Sequence, residues 1–265
     1  MSLVFTVKTA TYDTDEQPEI TVVIPTRNIS GLPIRNCIKS LELQTLAPSN
    51  TIIADYGSTT KKFNELMKDL EDFNCTVYRF ITNEIWSLPI ARNIGIRRAT
   101  GKIVVTVDAD LILEQDVLNT IVKQYKRDPN MFVVSSVCNL PSDKKLERAQ
   151  LPRDFKTLRK RCTPRGGFGG VMSAPRSWWH QVRAFDERMK GWGAEDDDMW
   201  GRAVRDGRTL LNIQVLALPN TKVYHQWHRR STPSSHAEWC QVNRMMFKRS
   251  KYAIIRNDEN WGLWT

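Results

Sequence analysis

Four carboxylates stand in a row in Gly191-Trp192-Gly193-Ala194-Glu195-Asp196-Asp197-Asp198, within a chain of formal net charge +10. Like charges this close repel one another and raise each other's pKa, so such a run needs a helix terminus, a cation or basic partners to offset it. A second acidic site, Val107-Asp108-Ala109-Asp110, follows the apolar run Ile103–Val107. Asp108 and Asp110 are two apart at a strand end, and their side chains share one side if the strand is still regular there. Oxygen-rich sites suit Mg²⁺ or Mn²⁺, ions that usually bridge one or two carboxylates to substrate phosphates. The plainer alternative is that the pair solvates a strand end and caps the helix beginning near Glu114.

The four-carboxylate run has its own structural explanation. A helix is expected to begin near Glu195, with Met199, Trp200 and Val204 on its inner face, and acids in a first turn are stabilised by unpaired N–H groups and the helix dipole. That does not explain the residues before it. Gly191 and Gly193 would let the backbone approach a ligand closely, and the Trp192 indole offers a flat face to a sugar ring. The dipole also favours an ionised carboxylate, ready to accept a proton.

The elements that must position these groups alternate regularly. Residues 1–18 read as a polar lead-in. Strands are expected at 19–28, 50–58, 75–81 and 102–113, separated by helical patterns after residues 31, 60 and 87 and followed by one from Glu114. This β-α alternation predicts an α/β fold with a mostly parallel central sheet and helices on both faces. Ligands then sit outside the carboxyl ends of the strands, which gathers Pro25–Asn28, Asp55 and Asp108–Asp110 into one crevice. Past residue 130 the alternation weakens: a strand near 131–140, a basic segment, the glycine-rich Arg165–Ala174, the acidic motif, and a tail rich in Trp, Arg and His. Eight of the tryptophans fall late in the chain, as an aromatic acceptor wall or as core.

Hydrophobic residues make up 41% and charged residues 26% of the 265 positions, the range of a soluble folded domain. No apolar run is long enough to span a bilayer, and the N-terminus lacks the pattern of a secretion signal. Five cysteines without CxxC spacing read as reduced thiols in a cytoplasmic protein, not as a disulfide frame or a zinc site. The cationic excess points to anionic partners. It is densest in segment 144–165, with nine Lys/Arg against two acids, which is either a solvated surface or a contact for nucleic acid or an anionic membrane, to which the protein would be peripheral.

VVIPTRN, ADYGST, ARNIGIRRATG and VDAD, in this order, resemble the nucleotide-binding half of the family 2 glycosyltransferases of GT-A (Rossmann-like) fold. GGFGGVMSAPRSWW followed by AFDERMKGWGAEDDDMWGR resembles the acceptor half of β-1,4-galactosyltransferases and chondroitin-polymerase type enzymes. The resemblance implies a single domain, with a nucleotide-sugar half at 19–130, an acceptor half at 131–230 and an extension at 231–265. Pro25, Thr26 and Arg27 then match the loop bordering the nucleoside. Asp55 matches the acid on the uracil ring, although Ala54 stands where many members carry a paired aspartate. Arg92 matches a basic position near the nucleotide, Asp108 the acid near the ribose, with Ala109 between it and Asp110, the direct metal ligand. Asp196 matches the catalytic base, and Glu195 and Trp192 match positions contacting acceptor or donor sugar. A metal-binding histidine belongs in VYHQWHRR (223–230), at the end of an expected strand: His225 matches first, and His228 has the spacing of the galactosyltransferases.

The reaction this implies is an inverting, Mn²⁺- or Mg²⁺-dependent transfer from a nucleoside-diphosphate sugar, UDP-linked by resemblance, to a hydroxyl of a glycan or lipid-linked glycan. A nucleic-acid acceptor with a hydroxylated base, a nucleotidyltransferase and a non-catalytic binding module are the alternatives. The expected geometry joins Asp110 and Asp196 at one cavity.

Overall fold

A computed structural model describes residues 2–7, 20–143, 150, 151, 153–228 and 236–263. The strands are β1 (Ser2–Val7), β2 (Ile20–Thr26), β3 (Asn50–Tyr56), β4 (Cys75–Phe80), β5 (Ile103–Val107), β6 (Leu111–Leu113), β7 (Met131–Ser135), β8 (Val137–Asn139), β9 (Thr163–Arg165), β10 (Val171–Pro175), β11 (Thr209–Asn212) and β12 (Val223–His225). The helices are α1 (Leu32–Glu42), α2 (Thr60–Leu70), α3 (Leu88–Arg98), α4 (Val117–Arg127), α5 (Phe155–Arg161), α6 (Arg176–Gln181), α7 (Glu195–Arg205) and α8 (His236–Arg249). No described helix is long and apolar enough to cross a membrane.

The main sheet runs β1-β4-β3-β2-β5-β10-β7-β11. Its centre, β4-β3-β2-β5, is parallel, with helices on both faces as the alternation requires. Ile20, Val22 and Ile24 of β2 pack with α1, α2 and α4 residues on one side. Val23 packs on the other with Ile96, Trp178, Trp179 and Met199, from α3, α6 and α7. Successive side chains of a strand point to opposite faces, so a strand buried on both reads as a continuous apolar run.

Two expectations are corrected. Part of the polar lead-in is strand β1, paired antiparallel to β4 at the sheet edge. The single strand expected at 102–113 is two: β5 ends at Val107, a turn closed by Leu111 N–H donating to the Asp108 carbonyl (3.1 Å) intervenes, and β6 enters a second sheet of order β6-β12-β8-β9. Asp108, Ala109 and Asp110 therefore form the joint between two sheets, not the regular end of one. Ala109 faces the core.

Candidate active site

Strand register brings the metal-ligating candidates together. β12 pairs antiparallel with β6, placing His225 opposite Leu111, and the Gln226 N–H donates to the Asp110 carbonyl at 3.0 Å. Asp110 Oδ2 then lies 3.3 Å from His225 Nε2 and 3.1 Å from His228 Nε2. One donor atom from each of the three lies within 4.8 Å of the others, and Asp110 Oδ1 is buried without a partner. Burial pushes the Asp110 carboxyl up, but the two imidazoles outweigh it and hold the group well below the usual carboxylate range. The corner thus demands positive charge beside Asp110. One carboxylate oxygen, two imidazole nitrogens and an unsatisfied buried oxygen fit a divalent cation.

The loop holding the histidines is fixed from beneath. Gln226 is buried; its Oε1 accepts from Asn36 Nδ2 at 2.8 Å and its Nε2 donates to the Pro33 carbonyl at 2.9 Å, both at the start of α1. Sequence reasoning passed over Gln226 because an amide between two histidines carries no chemistry of its own. A buried polar group nevertheless has to find partners, and here they set the ring positions.

Asp108 joins this corner to the acidic helix. Arg92, only 1% exposed, donates to Asp108 Oδ1 at 2.7 Å and to the Gly169 carbonyl at 2.6 Å, while its Nε and Nη1 find no hydrogen-bond partner. Gly169 abuts Asp196 so closely that a Cβ there would collide with the carboxylate, and a Cβ on Gly170 would lie 3.7 Å from Asp108 Oδ2. Burial raises the Asp108 pKa, Arg92 opposes it, and Asp110 and Asp196 both raise it further. Burial and then the Asp196 charge push Glu195 up to about 7. The two acidic clusters therefore approach one another across Arg92 and the glycine-rich loop.

The carboxylates of the run have separate fates. Glu195 is buried and Asp196 half-buried, at the N-terminus of α7. Asp197 is exposed and accepts from Trp200 Nε1 at 3.3 Å. Asp198 is fully buried, held by Arg202 Nε and by Arg256 Nη2, each at 2.8 Å. The inner face of α7 is Met199, Arg202 and Ala203; Val204, expected inside, is 46% exposed.

Gly191 and Gly193, at φ 65° and 100°, have their side-chain space filled by α8. A Cβ at either would fall 2.7 Å from Trp239 Cβ or 2.9 Å from Cys240 Sγ, so the glycines let α8 dock. Asn243 completes the joint by donating to the Lys190 and Gly193 carbonyls at 2.8 and 3.0 Å. Trp192 is left half-exposed beside it. Trp178, Trp179 and Trp261 are core, so the late tryptophans do not act together as a wall.

At the ends of β2 and β3, Pro25 and Thr26 are buried, and Arg27 donates to the Glu84 carbonyl at 2.7 Å. Asp55, at the end of β3, is fully buried. The Ser58 hydroxyl donates to its Oδ1, and Thr26 Oγ1 lies 3.4 Å from the same oxygen. Oδ2 has no hydrogen-bond partner, only the Arg79 guanidinium 4.0 Å away. Burial pushes Asp55 up to about 6, against Ser58 and Arg79. Arg79 escaped the sequence reading because its strand pattern gives no sign of charge.

Of the basic segment, residues 144–149 and 152 lie outside the described residues, as do Arg229 and Arg230. α5 is fastened by Arg159, which donates to the buried Glu114 at 2.5 Å, and it exposes Lys156, Lys160 and Arg161.

Residues 21–182 match the glycosyl transferase family 2, and residues 150–228 match the family described as the N-terminal domain of galactosyltransferase. The glycosyltransferase GlyA of Streptococcus pneumoniae serotype 4 is 30% identical over 106 residues, 40% of this chain and 15% of that protein. A crystal structure of GalNAc-T7 with UDP, GalNAc and Mn²⁺ superposes with a TM-score of 0.60 at 18% identity, covering 83% of this chain and 45% of that one. The mannosyltransferase PcManGT of Pyrobaculum calidifontis, in complex with GDP-Man and Mn²⁺, gives 0.56 at 19% identity over 87% and 61% of the two chains. S. aureus TarS 1–349 with UDP-GlcNAc gives 0.57 at 16% identity over 86% and 66%. The chain thus spans under half the length of GlyA and of GalNAc-T7. With the parallel core, the sheet joint and the family match across most of the chain in agreement, this protein belongs to glycosyl transferase family 2 and has the GT-A fold.

Proposed function

We propose that the chain transfers a sugar from a uridine diphosphate sugar to an acceptor hydroxyl with inversion at the anomeric carbon. The observation that carries this is the meeting of Asp110, His225 and His228 with Asp196 through Asp108, Arg92 and Gly169. Asp110, His225 and His228 would hold Mn²⁺ or Mg²⁺, which when bound offsets the charge developing on the departing diphosphate. Mn²⁺ in the GalNAc-T7 and PcManGT complexes supports a divalent cation, and the nucleotides of the three similar structures support a nucleoside-diphosphate donor.

The side chains have complementary tasks. Asp55 Oδ2 is a buried acceptor suited to a pyrimidine N–H, flanked by Pro25, Thr26 and Arg27. Asp108, steadied by Arg92, accepts from a ribose hydroxyl, while the unpaired Arg92 donors suit phosphate oxygens. Asp196 takes the proton of the attacking acceptor hydroxyl. Glu195, titrating near 7, is protonated often enough to donate to a sugar oxygen, and Trp192 covers an apolar sugar face. The acceptor is a glycan or lipid-linked glycan, met at the cytoplasmic side by a protein soluble or peripheral to a membrane. The exposed cations of α5 favour a second reading in which the acceptor is a nucleic acid.

UDP release from a panel of UDP-sugars, with Mn²⁺ or with chelator, tests the donor reading. Release that needs the cation and a sugar acceptor is the expected result. Release of pyrophosphate would instead point to nucleotidyl transfer, and no turnover with any donor would overturn the proposal.

A further inference from the structure

The inner edge of α8 is committed to the Gly191–Gly193 loop through Trp239, Cys240 and Asn243. Its other side lines an open cavity of about 540 Å³ formed by Ala237, Cys240, Gln241, Arg244, Met245 and Lys248. No acid is among these residues. Arg244 and Lys248 are one helical turn apart, where like charges repel, and neither enters a hydrogen bond or salt bridge with another described residue. Both are exposed. The groove adjoins the loop that leads into α7, because Trp239 and Cys240 of α8 fill the side-chain space of Gly191 and Gly193, and Arg244 is among the charges that oppose the upward shift of Asp197. Two exposed cations without a direct ion pair to a described residue, on a helix face that adjoins the exposed indole of Trp192, are placed to share one added anion.

We propose that this groove is an acceptor subsite for an anionic group, a phosphate or a carboxylate, carried close to the hydroxyl that is glycosylated. The inference rests on the transferase reading above, since it assumes that the acceptor hydroxyl is delivered to Asp196. An acceptor lying along α8 would place its charge between Arg244 and Lys248, where a guanidinium and an ammonium can share the oxygens of one phosphate or carboxylate. The neutral sugar next to it would meet Trp192 and the thioether of Met245. Selectivity for charged acceptors then arises on the extension after residue 230, separately from donor recognition at Asp55 and Arg92.

The test compares three oligomers of equal length: a glycerol phosphate chain, a uronic acid oligosaccharide and a neutral oligosaccharide. Each is titrated calorimetrically into the full chain in the presence of UDP and Mn²⁺, across a salt series. At least one charged oligomer should bind about ten-fold tighter than the neutral one, and R244Q/K248Q should remove that advantage. Preference for the glycerol phosphate or for the uronic acid chain identifies the anion. A control pair on α4, K126Q/R127Q, changes net charge equally and should leave the preference intact. Equal binding of the neutral oligomer, survival of the preference in R244Q/K248Q, or equal loss in K126Q/R127Q would overturn the proposal. UDP uptake without preference for charge defeats this inference alone, whereas a chain that takes up no UDP with Mn²⁺ defeats the donor reading and this one together.

Discussion

At the Asp108–Asp110 joint, the carboxylates meet side chains from distant parts of the chain: Arg92 on α3, His225 at the end of β12 and His228 just beyond it. In the Glu195–Asp198 run the carboxylates are instead sorted by helix geometry. Asp198 turns inward to Arg202 and Arg256, Asp197 faces solvent, and Glu195 and Asp196 remain at the site. Two acidic clusters of similar appearance in sequence thus have opposite designs, one made of imported partners and the other of one turn of helix that sends one charge to buried arginines and leaves the others near its N-terminus.

The sharpest way to break this comparison is within the run itself. Asp196→Asn should lower turnover by about 10²–10⁴-fold while UDP binding and the thermal midpoint stay near wild type; unchanged turnover would remove Asp196 from the chemistry. Asp198→Ala should do the reverse, costing about 3–5 kcal/mol in urea denaturation because two buried guanidiniums lose their carboxylate. A smaller effect sharpens the other side. Gln226→Ala, which frees the histidine loop from α1, should weaken Mn²⁺ binding about ten-fold by calorimetry, and full retention of affinity would show that the loop holds itself. The smallest effect is in pH. Glu195 and Asp55 have native values of about 7 and about 6, above their ordinary values of 4.5 and 3.8, so each holds a proton in the folded chain that the unfolded chain has released. The stability these two groups contribute to the ligand-free protein should therefore be full below that window and be lost as pH rises from about 4 to about 7, whereas Asp110, held low by its imidazoles, contributes in the opposite sense in acid. Glu195→Gln should flatten the upper part of that slope in melts followed across pH, and an unchanged slope would place its origin elsewhere.

Much of this was legible before the structure. The apolar runs at 20–26, 50–56 and 103–107 announce central strands because burial on both faces demands it. The failures have local causes. Strand β1 was hidden because an edge strand needs only one apolar side, supplied here by Phe5 against Phe63. The break after Val107 was hidden because Leu111–Leu113 continues the apolar pattern into a different sheet. Gly191 and Gly193 read as ligand-facing in sequence because sequence shows that a side chain is missing, not what occupies its place. Gln226, Arg79 and Asn243 serve through long-range hydrogen bonds and ion pairs that no spacing rule encodes.

The β6–β12 pairing has a consequence for how the protein matures. Because Asp110 directly precedes β6, His225 ends β12, and the two strands lie far apart in the chain and meet in one register, a slip of one residue would turn His225 to the other face of its sheet. A cation has no complete coordination set to occupy in a partly assembled chain, so it rewards the finished topology alone. Mn²⁺ added during refolding should leave the earliest phases unaltered and slow only the unfolding of chains whose last strand has docked, making ion uptake a direct readout of completed assembly.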